Sequence, residues 1–235
     1  MHHEAPGWQL LTLDLDGTLV DTAAEIAEAA NRALESHGIA RRPFDDIVVL
    51  IGAGTRELML RLLERCFSET PALRQRIHTD EVLESLDGHY AATTGTSAVP
   101  YEGCVQMLDD LRSAGVRLAC VTNKEIRHAR RVLEVTGLAA QFDLVIGGDS
   151  LPEKKPHPSV LHHVARELGA SLSRVAHLGD SATDVNAARN AGVAAWAVPY
   201  GYNAGRPITE AAPDLVFDSL PAVAAHVLAG RRRAA

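Results

Sequence analysis

The chain has 235 residues and a formal net charge of −7: long enough for one large α/β domain or a core with a smaller companion, and of the wrong sign to neutralise nucleic-acid phosphates. Its one concentrated basic run, Arg231, Arg232 and Arg233, reads as a solvated tail. Three cysteines, Cys66, Cys104 and Cys120, are odd in number, far apart and without CxxC spacing, which argues against a disulfide framework or a cysteine zinc site. With no basic-then-apolar leader, and no apolar run near the ~20 residues that cross a bilayer, the expectation is a soluble, cytoplasmic monomer or homodimer with no membrane or nucleic-acid partner.

In chain order, the first strand is expected at residues 8–14, "WQLLTLD", and it runs straight into "LDGT". From residue 22 to about 96 the pattern turns helical, through "AAEIAEAANRALESHG", "GTRELMLRLLERCFSE" and "TDEVLESLDGHYAATTG", and shows no convincing strand. This is too long for one crossover and reads as an inserted helical domain, whose return passes Pro100 and Gly103. Strands are then expected at residues 116–122, 142–148, 174–180, 193–199 and 214–218, each rich in Val, Leu or Ala. Helical segments such as "GCVQMLDDLRSAG", "EIRHARRVLEVTG" and "PSVLHHVARELGA" lie between them, several stopped by glycine. Such alternation implies crossover helices on a parallel sheet. The fold class is therefore α/β, doubly wound, with a core over residues 1–21 and 97–235 and a helical cap over residues 22–96.

Ligands of open α/β sheets bind beyond the carboxyl ends of the strands, and four of these ends carry suitable groups. The first delivers Asp14 and Asp16, whose mutual repulsion is reasonable if a cation or a shuttled proton relieves it. Gly17 permits a tight turn beside an anion, and the Thr18 hydroxyl can cap the segment after it. The second offers Thr122, Asn123 and Lys124, a hydroxyl, an amide and backbone N–H groups before a helix. Beyond the third comes Lys155 in "EKKPHP", and the fourth ends in "LGDSATDVNAARNAG", with Asp180 and Asp184 four residues apart.

Four such sites in succession resemble the haloacid dehalogenase superfamily of phosphotransferases: "DLDGTLVD", "VTNK", Lys155 in "KKPHP" and "GDSATD" follow its motif order. "VIGGD", "GDSATDVNAARNAG" and "YGYNAGRPI" are further similar to its bacterial phosphoglycolate phosphatase branch over nearly the full length. The resemblance implies a cap between the first two motifs and a phosphatase acting on a small phosphorylated substrate, 2-phosphoglycolate. Asp14 would then be the nucleophile and Asp16 the general acid and base, with Thr122 and Lys155 holding phosphoryl oxygens. Gly17, Thr18 and Asn123 would border the substrate, and Mg2+ would be held by Asp14, the Asp16 carbonyl, Asp180 and, through water or orientation, Asp184. Rival readings are a β-phosphoglucomutase-like enzyme, a phosphonate hydrolase, another small-phosphomonoester phosphatase, or a binding or regulatory protein on the same fold. A dehalogenase has no leaving alcohol to protonate and so no use for Asp16.

Two residues are read apart from the motifs. Arg56 in "GAGTREL", after a glycine turn at a helix start, is the candidate cation for a substrate carboxylate. His177, inside the fourth strand end, reads as a packed core histidine, and His157, His162 and His163 lack ligand spacing.

Overall fold

A computed structural model describes residues 7–232. Strand β1 (Leu10–Leu13) opens the core and is followed by the short β2 (Val20–Asp21). Four helices come next: α1 (Ala23–Ser36), α2 (Phe44–Val48), α3 (Thr55–Glu69) and α4 (Thr79–Thr93). The chain returns through β3 (Val99–Pro100), which pairs antiparallel with β2. Helices and strands then alternate: α5 (Cys104–Ser113), β4 (Arg117–Val121), α6 (Ile126–Val135), β5 (Leu144–Ile146), α7 (Ser159–Glu167), β6 (Val175–Gly179) and α8 (Ala182–Ala191). Strands β7 (Ala194–Ala197) and β8 (Leu215–Val216) and helix α9 (Leu220–Arg232) complete the chain.

Six strands form one parallel sheet in the order β5-β4-β1-β6-β7-β8. All six expected strands are present, each trimmed at its ends. The β2–β3 ribbon was not anticipated, because two residues a side are too few to show a period of two. Helix α9 carries the backbone into the basic run expected as a tail: Arg231 and Arg232 are helical, and Arg233 lies outside the described residues.

The sheet is apolar on both faces because its strands are covered on both. Leu11 and Leu13 of β1 join a cluster with Met107 and Leu108 of α5, Val132 of α6 and Val223 of α9. Leu10, one residue out of step, joins the opposite cluster with Leu161 of α7 and Val185 and Ala188 of α8. Trp196, only 1% exposed, stands edge-on to Trp8 and Phe217, with ring centroids 4.8 and 5.3 Å away. Each large side chain so buried stabilises the fold by about 1.5–3 kcal/mol.

Helices α1–α4 have an apolar cluster of their own, centred on Leu34, Ile47, Met59, Leu62, Val82 and Tyr90. It shares no residue with the two clusters of the sheet. No helix among the described residues is long and apolar enough to cross a membrane.

Strand order decides where a ligand can sit. The chain leaves β1 toward β4 on one side and leaves β6 toward β7 on the other, so a crevice opens between the ends of β1 and β6. Asp14 and Asp180 follow those two strands directly.

Candidate active site

The Asp14 N–H bonds the Leu178 carbonyl at 2.9 Å, extending the β1–β6 ladder by one step and fixing the direction of the carboxylate. The chain then turns at Gly17, whose φ is +83°. A Cβ there would stand 2.5 Å from Asp180 Oδ2, and one on Gly201 would stand 2.2 Å from the same atom. Glycine at both positions gives the Asp180 carboxylate its space beside Asp14. The Gly17 N–H is itself spent on the Val20 carbonyl at 2.9 Å, inside the turn. Thr18 is fully buried and donates to Asp180 Oδ1 at 2.8 Å. Expected beside the substrate, it steers a carboxylate instead.

Lys155 fills the middle of the site. Its Nζ lies 2.8 Å from Asp14 Oδ1, 2.7 Å from Asp184 Oδ1 and 2.6 Å from the Val121 carbonyl. With hydrogen bonds to Asp184 and the Val121 carbonyl and an ion pair to Asp14, one buried ammonium holds the nucleophile candidate and a second acid on either side. Burial works against that charge, but the two carboxylates outweigh it and hold the lysine protonated.

Asp184 is the most fully engaged acid. Its Oδ2 closes a capping box at the start of α8, accepting from Ser181 N at 3.1 Å and Ser181 Oγ at 2.6 Å. Its Oδ1 takes Lys155 and, at 3.3 Å, His177 Nε2. Burial opposes its ionisation, yet Lys155 and His177 hold it well below the usual carboxylate range. His177 is completely buried, and burial lowers its own proton affinity. The facing carboxylate calls for a proton on Nε2, and Nδ1 lies 2.9 Å from Thr12 Oγ1, whose hydroxyl also reaches the Ala176 carbonyl at 3.1 Å. It is thus a packed core histidine, as its sequence context implied, that also orients Asp184.

Asp14, Asp180 and Asp184 bring one oxygen each within 4.8 Å of one another. Burial, with the neighbouring charges of Asp184 and Asp16, pushes Asp14 up to about 7 against the pull of Lys155. Burial and the charges of Asp184 and Asp14 push Asp180 well above the carboxylate range. Three buried acids against one lysine is a charge imbalance that a hard divalent cation would relieve. The donor set, all oxygen, suits such an ion.

Above Asp14 lies a small cavity bordered by Asp16, Thr122, Asn123 and Lys124 of the core and by Ile26, Ile51, Thr55 and Leu58 of the insertion. Its free volume is about 20 Å3, room for about one water. The insertion meets the core beside it: Asn123 Nδ2 donates to the Gly52 carbonyl at 3.2 Å and Lys154 Nζ to the Ala53 carbonyl at 2.8 Å. Asn123 Nδ2 also reaches the Lys155 carbonyl at 3.0 Å, while its buried Oδ1 has no protein partner. Thr122, directly beyond β4, accepts from Lys124 N at 3.1 Å.

Sequence reading missed the role of Lys124. Its Nζ donates to Asp16 Oδ1 at 2.7 Å, and it is 1% exposed, with the ring of Tyr90 at 5.1 Å. Thr22 Oγ1 donates to the same Asp16 oxygen at 2.6 Å. Only the "VTNK" spacing hinted at Lys124, since a residue two beyond a strand-end threonine has no fixed direction in sequence. Tyr202, in "YGYNAGRPI", was also unassigned. Its N–H donates to Asp180 Oδ2 at 2.5 Å, and its hydroxyl accepts from Thr22 N and Ala23 N at the head of α1. Arg56 lies elsewhere: it is exposed and lines a neighbouring cavity with Asp80, Asp87 and Glu125.

A strand-end aspartate pair, a lysine and a second acid pair, gathered under a helical insertion, suit phosphotransfer on an open α/β sheet. The chain belongs to the haloacid dehalogenase-like hydrolases, whose family profile matches residues 8–192. It is similar to two curated bacterial proteins called phosphoglycolate phosphatase. One, from Cupriavidus necator and plasmid-encoded, is 40% identical over 220 residues, 93% of each chain. The other, from Thiobacillus denitrificans, is 36% identical over 92% of this chain and 94% of its own. Among solved structures, a predicted phosphoglycolate phosphatase from Haemophilus somnus 129pt superposes with a TM-score of 0.85 at 29% identity, over 92% of this chain and 96% of that one.

Proposed function

We propose that the protein is a magnesium-dependent phosphomonoester hydrolase that works through an aspartyl-phosphate and takes 2-phosphoglycolate as its substrate. The observation that carries this reading is the small cavity over Asp14, lined by Lys124 together with Ile26, Ile51 and Leu58 of the insertion. A short leaving group with its own negative charge suits that chemistry better than a neutral sugar, which would need many hydroxyl partners. The names of the relatives point the same way.

In the first half-reaction an oxygen of Asp14 attacks phosphorus while the ester P–O bond breaks, and Asp16 gives a proton to the departing alkoxide. Asp16 Oδ1 is already engaged by Lys124 and Thr22, which leaves Oδ2 to face the leaving oxygen. In the second half-reaction Asp16 takes a proton from water as the water attacks the phosphoryl group, and the acyl P–O bond breaks to restore Asp14. Lys155 and Thr122 offer positive charge and a hydroxyl to the nonbridging oxygens. Magnesium, held by Asp14, the Asp16 carbonyl and Asp180 with Asp184 orienting the shell, would neutralise charge on the phosphoryl group. The insertion, acting as the cap over residues 22–96, would open to admit substrate and close over it.

Phosphate release from 2-phosphoglycolate, measured beside a panel of small phosphomonoesters and a neutral aryl phosphate, tests the substrate. Turnover of the aryl ester without preference for the acid would sink phosphoglycolate and keep the phosphatase. Within the same assay, Lys124→Met should lower kcat/KM for phosphoglycolate roughly 10- to 100-fold more than for the aryl phosphate, through loss of a charge-assisted contact worth ~1.5–3 kcal/mol. The placement of Lys124 favours it over Arg56 as the cation for the carboxylate. Arg56→Ala, on an exposed side chain, should then change the two substrates by less than about threefold; a selective loss larger than that of Lys124→Met would reverse the assignment.

Metal binding should also depend on pH. Asp14 stands near 7 when folded against ~3.9 unfolded, so the metal-free fold holds an extra proton between those values. Its contribution to stability therefore falls as pH rises from about 4 through 7. Magnesium competes with that proton, so the rise in Tm on adding magnesium should be larger at pH 8 than at pH 5.5. An equal rise at both values would detach the metal from Asp14.

A further inference from the structure

We propose that Asp87, Glu125 and His128 form a second divalent-cation site, of zinc-type chemistry, that ties the helical insertion to the core. Asp87 is on α4 of the insertion, Glu125 caps α6, and His128 lies in the first turn of α6. One ligand atom from each falls within 4.8 Å of the others, and His128 Nε2 is 3.7 Å from Glu125 Oε2. Atoms bound at ~2 Å to a tetrahedral ion stand roughly 3.3 Å apart, so a small side-chain adjustment brings the three to coordination.

The imidazole marks this cluster as more than acidic surface. His128 is 4% exposed, and its Nδ1 is 3.0 Å from Thr94 Oγ1. Thr94 gives its one proton to the Tyr90 carbonyl at 2.6 Å, so Nδ1 carries the imidazole proton and donates it to Thr94. Nε2 is left with a buried lone pair, no hydrogen-bond partner and a carboxylate in front of it. Two electron-rich groups facing each other without a proton between them repel, and a cation turns that repulsion into binding. Burial, then the charges of Arg127 and Lys124, hold His128 down to about 4. At neutral pH it is the uncharged form that ligates.

Arg127 is the present counter-charge. Its guanidinium pairs with Asp87 and lies 3.1 Å from Glu125 Oε2. It supplies charge to the carboxylates but nothing to Nε2, and its side chain is half-exposed. A cavity of about 390 Å3, lined by Asp87, Glu125 and Tyr90, gives an ion a way in. One imidazole with two carboxylates suits zinc or cobalt, whereas the all-oxygen cluster at Asp14 suits magnesium.

The test is zinc binding by the whole protein, by calorimetry in saturating magnesium, with cobalt as a visible-absorption probe. The wild type should bind one zinc and give cobalt d–d bands, and Asp180→Asn, altered in the other acid cluster, should do the same. Asp87→Asn, on an exposed side chain where folding is not at issue, should weaken zinc at least tenfold, and His128→Gln should remove the cobalt bands. No saturable zinc binding in the wild type would overturn the site. So would binding that survives Asp87→Asn undiminished, or binding lost in Asp180→Asn alone.

Discussion

Asp14→Asn should stop turnover, with a loss of about 10⁴-fold or more and no phosphoryl group found on the protein by mass spectrometry after mixing with substrate. An amide oxygen is a poor nucleophile toward phosphorus, and no other carboxylate of the cluster is free to replace it. Asp184 has both oxygens committed to Lys155, His177 and Ser181, and Asp180 is bound by Thr18 and the Tyr202 N–H. The fold should tolerate the change. One of three mutually repelling acids becomes neutral, so the metal-free variant should melt no lower than the wild type. Residual turnover within about a hundredfold of wild type, from protein free of other phosphatases, would reject the covalent route. A collapse in Tm would mean that the activity loss says nothing of chemistry.

Lys155→Met should strike both stability and turnover, and the two losses can be separated. The ammonium is the shared partner of Asp14 and Asp184, both buried, and stripping one member from such a group costs about 3–5 kcal/mol. Protonation of Asp14, already pushed up to about 7, recovers part of that. The net expectation is a fall in Tm on the order of 10 °C in metal-free buffer. Magnesium should return much of it by replacing the missing positive charge. Turnover should remain down by about 10³-fold even then, because under the proposed mechanism the ion would not replace the contact of Lys155 with the phosphoryl oxygens. Recovery of kcat along with Tm would reduce Lys155 to a structural counter-charge.

The strand ends were legible because they rest on local rules. An apolar run that stops in Asp-Leu-Asp-Gly-Thr states a strand, a turn and two acids within a few residues, and the same holds for Thr122, Lys155 and Asp180. The helical insertion was legible too, because its period of 3.6 persists over some seventy residues with no strand between. The β2–β3 ribbon was not, because two paired residues carry no period, and their pairing joins positions eighty residues apart.

The sequence by itself therefore determined the fold class, the order of the motifs and the identity of the acids, since each depends on hydrophobic period, glycine and proline placement, and residue type along one short segment. Only the tertiary structure decided what those residues do to one another. It turned Thr18 and the Gly17 amide inward, sent Arg56 to a different cavity, and brought Lys124 onto Asp16 and His177 onto Asp184. It also met Asp87 of α4 with His128 of α6 across two separately packed units. The physical reason is range: hydrophobic period acts over a few residues, whereas a buried charge is satisfied by whatever the topology carries to within about 3 Å of it, from any distance along the chain.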